Sequence, residues 1–91
     1  MGPSHMEHAD QVRRYGGRLL TIEGHTVVEM IDPNDGSRAR HQYRRRGEAI
    51  EHRIVARGGA AGPWELRSPG EVALMRAQRG AYHPILDPLG L

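Results

Sequence analysis

The chain of 91 residues contains no cysteine, no lysine and no phenylalanine. Without cysteine it can form neither a disulfide nor a zinc site with thiolate ligands. It also lacks any apolar run close to the ~20 residues of a membrane-spanning helix, and no charged-then-apolar signal segment precedes the first helix candidate. We therefore expect a soluble, cytoplasmic protein that does not enter a membrane.

Apolar residues are also scarce. They make up 37% of the chain, with one tryptophan and three tyrosines. Residues 1–5 have the pattern of a cloning scar, which leaves about 86 residues for one small domain. A core of this size gives a few kcal/mol of net stability at most. We therefore expect a homodimer or a larger protein partner to supplement it.

Positive charge is carried by arginine alone and is concentrated in the middle of the chain. Residues 38–57 hold seven arginines and two acidic residues, whereas residues 6–37 hold three arginines and six acidic residues. The missing lysines fit the base composition of a high-GC bacterial genome. That bias does not explain the clustering, which favours an anionic partner.

Turn signals divide the first half of the chain into a helix and three strands. Gly16-Gly17 ends a short helix candidate over residues 7–15. Strands over 18–23 and 26–31 flank Gly24-His25, a two-residue hairpin turn with glycine first. The run Asp-Pro-Asn-Asp-Gly at 32–36 is the strongest turn signal in the chain. A third strand is expected over 37–45.

Residues 48–57 fit two patterns. Ile50, His52 and Ile54 alternate as in a strand, but Ile50, Arg53 and Ile54 also lie on one side of a helix. We favour a fourth strand. Residues 64–67 are expected to form a short edge strand that anchors Trp64 in the core.

Ser68, Pro69 and Glu71 have the spacing of a capping box with proline at the first helical position, which predicts a helix over 69–79. Residues 81–91 are apolar but are interrupted by Pro84 and Pro88. They favour neither a long helix nor a central strand, so we separate them as a tail from the domain at 6–80. The predicted fold is a small α+β domain: an antiparallel meander of three to five strands, the C-terminal helix packed on one face, and room for a short N-terminal helix.

The arginine-rich third strand is the first candidate site. Alternate arginines along a strand are spaced at about 7 Å, which could follow a phosphate backbone. The candidate residues for binding an anion or a nucleic acid are Arg38, Arg40, Arg44, Arg45, Arg46, Arg53, Arg57 and Tyr43. The simpler interpretation is a solvated strand whose arginines pair with Glu23, Glu29, Glu48 and Glu51.

The tail is the second candidate site, because an aliphatic segment broken by prolines is typical of elements that complete a neighbour's core. The candidate interface residues are Tyr82, Ile85, Leu86, Leu89 and Leu91. Packing against the chain's own helix is an equally good interpretation in a domain with so small a core.

No catalytic, nucleotide-binding or metal-binding motif stands out. His25, His41 and His52 lie on three segments that could adjoin in one sheet, but no ligand spacing enforces a metal site, and we expect neither a metal nor a cofactor. An enzyme is the least favoured class, because no nucleophile, base and orienting group can be named together. The sequence therefore favours a non-catalytic accessory or regulatory module that acts through protein contacts. A nucleic-acid-binding protein is the alternative.

Overall fold

A computed structural model describes residues 5–32 and 34–91, apart from the side chains of His5 and Arg79. The predicted cloning scar lies outside the described residues except for the backbone of His5, and so does Pro33 of the predicted turn. The elements in chain order are α1 (His5–Arg14), β1 (Gly17–Ile22), β2 (His25–Ile31), β3 (Arg40–Arg46), β4 (Ala49–Val55), β5 (Glu65–Arg67), α2 (Pro69–Ala77) and α3 (Arg79–Leu86).

The five strands form one antiparallel sheet in the order β1-β2-β3-β4-β5. This confirms the predicted α+β meander, and residues 48–57 contain a strand rather than a helix. All three helices pack on the same face of the sheet. Their buried side chains, including Val12, Val72 and Leu86, form one core cluster with Val28 and Ile50 of the strands. None of the described helices covers the opposite face, which we call the open face.

Two strand boundaries differ from the predicted ones, and the geometry of the adjacent turns explains both differences. The first hairpin turns at Glu23-Gly24 and not at Gly24-His25, and both residues have positive φ, which suits the twist of a two-residue hairpin. The third strand begins at Arg40 instead of residue 37. Asp35 accepts hydrogen bonds from the backbone and hydroxyl of Ser37, which extends the preceding turn.

The capping box of α2 is present as predicted, with the Ser68 side chain accepting from the Glu71 backbone. The helix ends at Ala77 rather than at residue 79, and a second helix, α3, follows at once. Residues 81–86, which the sequence analysis assigned to the tail, belong to this short helix. Pro84 lies inside α3 and has no N–H to donate to the carbonyl four residues earlier, and burial of Ile85 and Leu86 in the core offsets this loss.

The C-terminal segment contributes to the domain core. Ile85, Leu86 and Leu89 are buried, and Leu91 is half-buried against the same cluster. Arg45 and Arg76 donate hydrogen bonds to backbone carbonyls of residues 89–91, which fixes the end of the chain to the sheet and to α2. Among the described helices, none is long and apolar enough to cross a membrane.

Candidate functional site: an arginine-rich open sheet face

The open face carries two rows of paired charged and polar side chains. Strand register places Arg18, Glu29, Gln42 and Arg53 in one row across β1 to β4. It places Arg44 beside Glu51 in the next row. Successive side chains of a strand alternate between faces, so these residues share the side that the helices leave uncovered.

Glu29 holds the centre of the first row. Its carboxylate accepts hydrogen bonds from Arg18 Nε and Gln42 Nε2, both at 2.7 Å, and Arg40 lies 4.0 Å away. The Gln42 carbonyl oxygen in turn accepts from Arg53 Nε at 2.7 Å. Glu29 is only 2% exposed although none of the described helices covers it. The long arginine side chains shield this carboxylate from solvent.

Glu51 organises the second row. It accepts from Arg44 Nε at 3.0 Å and from Arg46 Nη1 at 3.3 Å. The guanidinium carbons of Arg44 and Arg53 lie 4.1 and 4.4 Å from the centre of the Trp64 ring. These distances are within the range of cation–π contacts, so the indole joins the two rows.

Both glutamates are ionised at neutral pH. Burial, the largest single influence, raises the pKa of Glu29, but the hydrogen bonds from Gln42 and Arg18 and the nearby positive charges outweigh it and hold the pKa below its ordinary value. Glu51 follows the same pattern. Burial raises its pKa, while the hydrogen bond and charge of Arg44, followed by those of Arg46, lower the pKa further than burial raises it.

The open face keeps a surplus of positive charge after this pairing. Its strand residues comprise five arginines and two glutamates, a formal sum of plus three: Arg18, Arg40, Arg44, Arg46, Arg53, Glu29 and Glu51. Arg18, Arg44 and Arg53 each donate through Nε, and their Nη groups have no hydrogen bond to another residue in the described ranges. The face therefore retains donors for an external anion.

Apolar side chains are interspersed with these charges. Leu66 is 59% exposed and Ile31 is 37% exposed. Register places Leu66 opposite Glu51 and Ile31 opposite Arg40, so both lie on the open face. The surface thus combines exposed aliphatic groups with arginine and tryptophan, and the latter two are enriched at the centre of protein interfaces.

The structure brings together four of the predicted anion-binding arginines and separates the others. Arg40, Arg44, Arg46 and Arg53 lie on the open face, whereas Arg45 lies on the helix side and donates to the carbonyls of Gly47, Leu89 and Gly90. Tyr43 is also on the helix side, packed against the core. Arg38 and Arg57 are exposed beyond the ends of β3 and β4, with no partner among the described residues.

Sequence reasoning did not identify Arg18 and Trp64 as parts of the site. It named Glu29 and Glu51 only among four glutamates that could pair with the arginines. In the structure, Glu23 and Glu48 occupy hairpin turns, and neither forms an ion pair within the described ranges. Trp64 was expected in the core but lies against the open-face arginines. The sequence of β2 could have identified Glu29, since this glutamate interrupts the apolar run from residue 27 to residue 31.

The predicted interface residues of the tail have little free surface. Ile85, Leu86 and Leu89 are at most 8% exposed in the chain's own core, and Tyr82 and Leu91 are half-buried.

Of the three histidines considered as metal ligands, His41 and His52 are in contact, with 3.0 Å between His41 Nδ1 and His52 Nε2. His25 pairs with Ile22 at the other end of β2. No metal-ligand cluster occurs among the residues that the structure describes.

No protein-family model matches this chain, and no curated protein or solved structure matches it either.

Proposed function

We propose that this chain is a non-catalytic binding module whose open face binds an acidic segment of a partner protein. The observation that carries the proposal is the uncompensated arginine network on a sheet face that no described helix covers. Guanidinium groups recognise carboxylates through two parallel hydrogen bonds, and the Nη donors of this network are available for that purpose.

The network is held in place before a partner arrives. Glu29 fixes Arg18 and Glu51 fixes Arg44 through hydrogen bonds to Nε. Ordering a long side chain at an interface costs about 0.5–1.5 kcal/mol, so arginines already ordered bind an anion at lower cost. The buried glutamates thus act as internal supports for a cationic surface.

The mixture of groups favours a protein over a nucleic acid. Exposed Leu66 and Ile31 offer apolar contacts that a phosphate backbone cannot use. Trp64 is already engaged by two guanidiniums, which limits it as a platform for base stacking.

Charge also favours a different protein over a second copy bound through this face. Stacking two open faces would bring a surplus of three positive charges against the same surplus. Like charges facing each other across an interface are unfavourable. An acidic partner, with carboxylates between apolar side chains, matches both the charge and the exposed leucine and isoleucine.

Nucleic-acid binding is the second candidate, and one observation favours it. Arg38 and Arg57 are exposed at the same end of the β3–β4 pair and extend the basic surface beyond the sheet. A phosphate backbone crossing this end would meet arginines that no described carboxylate neutralises.

The test compares two labelled probes by fluorescence anisotropy: a peptide that alternates glutamate with valine, and a single-stranded oligonucleotide of equal net charge. The variant is Arg18→Gln with Arg46→Gln, whose side chains are 57% and 71% exposed. Each glutamate keeps its other arginine in this variant, so the fold should persist. The control is Arg13→Gln with Arg14→Gln, which removes the same charge from the exposed side of α1.

The proposal predicts saturable peptide binding that weakens about tenfold in the open-face variant and as salt rises from about 50 to 200 mM. The control should stay within about twofold of the unmodified chain, which is the spread expected for a surface change away from the site. Tighter binding of the oligonucleotide than of the peptide would favour the second candidate. Binding of neither probe, or equal loss in variant and control, would contradict the proposal.

A further inference from the structure

A cavity of about 340 Å³ lies on the helix side of the sheet, separate from the open face. The sheet contributes Tyr43, His52 and Arg67 to its walls, and the helices contribute Glu71, Leu74, Met75 and Tyr82. Small-molecule sites are typically about 300–1,000 Å³ and combine apolar walls with a few polar groups. The size and composition of this cavity fit that pattern.

The sheet side of the cavity is an ordered stack of rings. Tyr43 and His52 stack with centroids 4.7 Å apart, and His52 lies nearly parallel to His41 at 5.2 Å. Arg67 Nη2 can only donate, so its 3.4 Å contact with His52 Nδ1 requires a lone pair on that nitrogen. The proton of His52 is therefore on Nε2, from which it is donated to His41 Nδ1 at 3.0 Å.

Hydrogen-bonding capacity at the cavity is not used up. Arg67 makes only long contacts, 3.4 Å to His52 and 3.7 Å to the Glu71 carboxylate. That carboxylate also accepts a hydrogen bond from the Ser68 backbone in the capping box of α2. The hydroxyls of Tyr43 and Tyr82 have no hydrogen bond to another residue in the described part of the chain. Burial raises the pKa of Tyr43, so its hydroxyl remains a donor. The Glu71 carboxylate offsets part of the Arg67 charge, but it is 3.7 Å away, so the guanidinium and the two hydroxyls still offer donors to an anionic oxygen ligand.

The helix side of the cavity is apolar apart from the Glu71 carboxylate, which lies beside Arg67. Leu74 is 68% exposed, the highest value among the leucines of the domain, and it adjoins half-buried Met75. An exposed leucine at the entrance of a cavity supplies surface that an apolar ligand group would cover. Methionine adapts to ligand shape and packs well on aromatic rings.

We infer that this cavity binds a small monocarboxylate with an aromatic body, the carboxylate contacting Arg67 and the ring lying between Tyr43, Leu74 and Met75. The inference is independent of the proposed function, since the two sites use opposite faces of the sheet. No bond is made or broken, because the site is a binding site only.

The test is an NMR titration with 3-phenylpropionate, observing the methyl groups of Leu74 and Met75, with 3-phenylpropanol as the uncharged counterpart. We expect saturable shifts with a dissociation constant of about 1 mM, which suits a ligand of this size. The alcohol should bind about tenfold more weakly, because it lacks the charge-assisted hydrogen bonds to Arg67.

Two variants and two matched controls complete the test. Arg67→Gln should weaken binding of the acid about tenfold, while Arg57→Gln, which removes the same charge elsewhere, should not. Leu74→Asn should weaken binding several-fold, while Leu66→Asn, also at an exposed leucine but on the open face, should not. Because Leu74 is exposed, Leu74→Asn should fold, and its binding of the acid tests the inference if Arg67→Gln does not fold.

Three results would overturn the inference. The first is the absence of saturable methyl shifts at about ten times the expected dissociation constant. The second is equal binding of the acid and the alcohol, which would remove the role of the carboxylate. The third is unchanged binding in folded Arg67→Gln, or in Leu74→Asn if the former does not fold.

Discussion

Glu51 of β4 binds Arg44 of β3 directly across the strand pair, with 3.0 Å between Arg44 Nε and Glu51 Oε1, on the sheet face that the described helices leave uncovered. Glu51 is 9% exposed, and its second oxygen accepts from Arg46. A carboxylate so placed keeps two guanidiniums in position at the surface. The open face is therefore a cationic surface built around internal anions.

Replacing Glu51 with glutamine should destabilise the fold by about 1–2 kcal/mol, because two arginines lose their charged acceptor in a shielded position. Urea unfolding measures the change. Glu48→Gln is the control, since Glu48 is exposed in the turn between β3 and β4 and has no partner among the described residues. It should shift the free energy of unfolding by less than about 0.5 kcal/mol. Equal effects of the two substitutions would show that Glu51 does not support the network.

Arg53 and Trp64 should be energetically coupled. A double-mutant cycle with Arg53→Gln and Trp64→Leu should give an interaction free energy of about 0.5–1 kcal/mol, from the cation–π contact at 4.4 Å. A matched cycle with Arg57→Gln in place of Arg53→Gln should give a coupling near zero, because Arg57 has no contact with the indole. Coupling of the same size in both cycles would contradict the placement of Trp64 on the open face.

Stability should fall with acidification in two separate steps. Burial, followed by the charges of His41 and Arg67, lowers the pKa of His52 from 6.5. Below pH 6.5 the unfolded chain therefore binds a proton that the folded chain does not, and the free energy of unfolding decreases until the pH reaches the lower folded pKa. Urea unfolding between about pH 5 and 7.5 should show this slope in the unmodified chain and a reduced slope in His52→Gln.

The second step belongs to the glutamates of the open face. Glu29 and Glu51 have folded pKa values below 4.5, so the stability they contribute is complete above pH 4.5 and is lost as the pH falls through the folded values. Glu51→Gln should reduce this acid step and leave the His52 step unchanged. A stability profile that is flat from neutral pH to pH 4.5 would contradict the buried position of His52.

The C-terminal segment should be required for folding. Leu86 is fully buried, so Leu86→Ala should destabilise the domain by about 2–5 kcal/mol. Leu74→Ala, at an exposed position of α2, should change stability by less than about 0.5 kcal/mol. Thermal unfolding followed by circular dichroism measures both. A small loss of stability in Leu86→Ala would contradict this, and would favour the separate tail that the prolines in the sequence indicate.

The fold was largely predictable because its signals are local. Turn residues such as Gly24 and the capping box at Ser68 determine where elements begin and end, and both are visible in the sequence. The short helix at the C-terminus was not predicted because Pro84 lies in its interior and removes an intrahelical hydrogen bond. Tertiary burial of Leu86 outweighs that local cost.

The candidate site was only half predictable. Successive side chains of a strand point to opposite faces of the sheet, so Arg40 and Arg44 could be assigned to one face from the sequence of β3 alone. Their partners lie on other strands, and only the register of the sheet places Arg18 beside Glu29 and Glu51 beside Arg44. Trp64 was misassigned because an isolated tryptophan usually belongs to the core. Here the arginine side chains provide its apolar and cationic surroundings.

The most direct test of the open face as a binding surface is NMR observation of the arginine Nε–H groups and the Trp64 indole N–H during titration with the glutamate–valine peptide. We predict saturable shifts at Arg18, Arg53 and Trp64, with Arg13 and Arg14 of α1 unchanged. Shifts confined to α1, or no saturable shift at the open-face groups, would contradict the account.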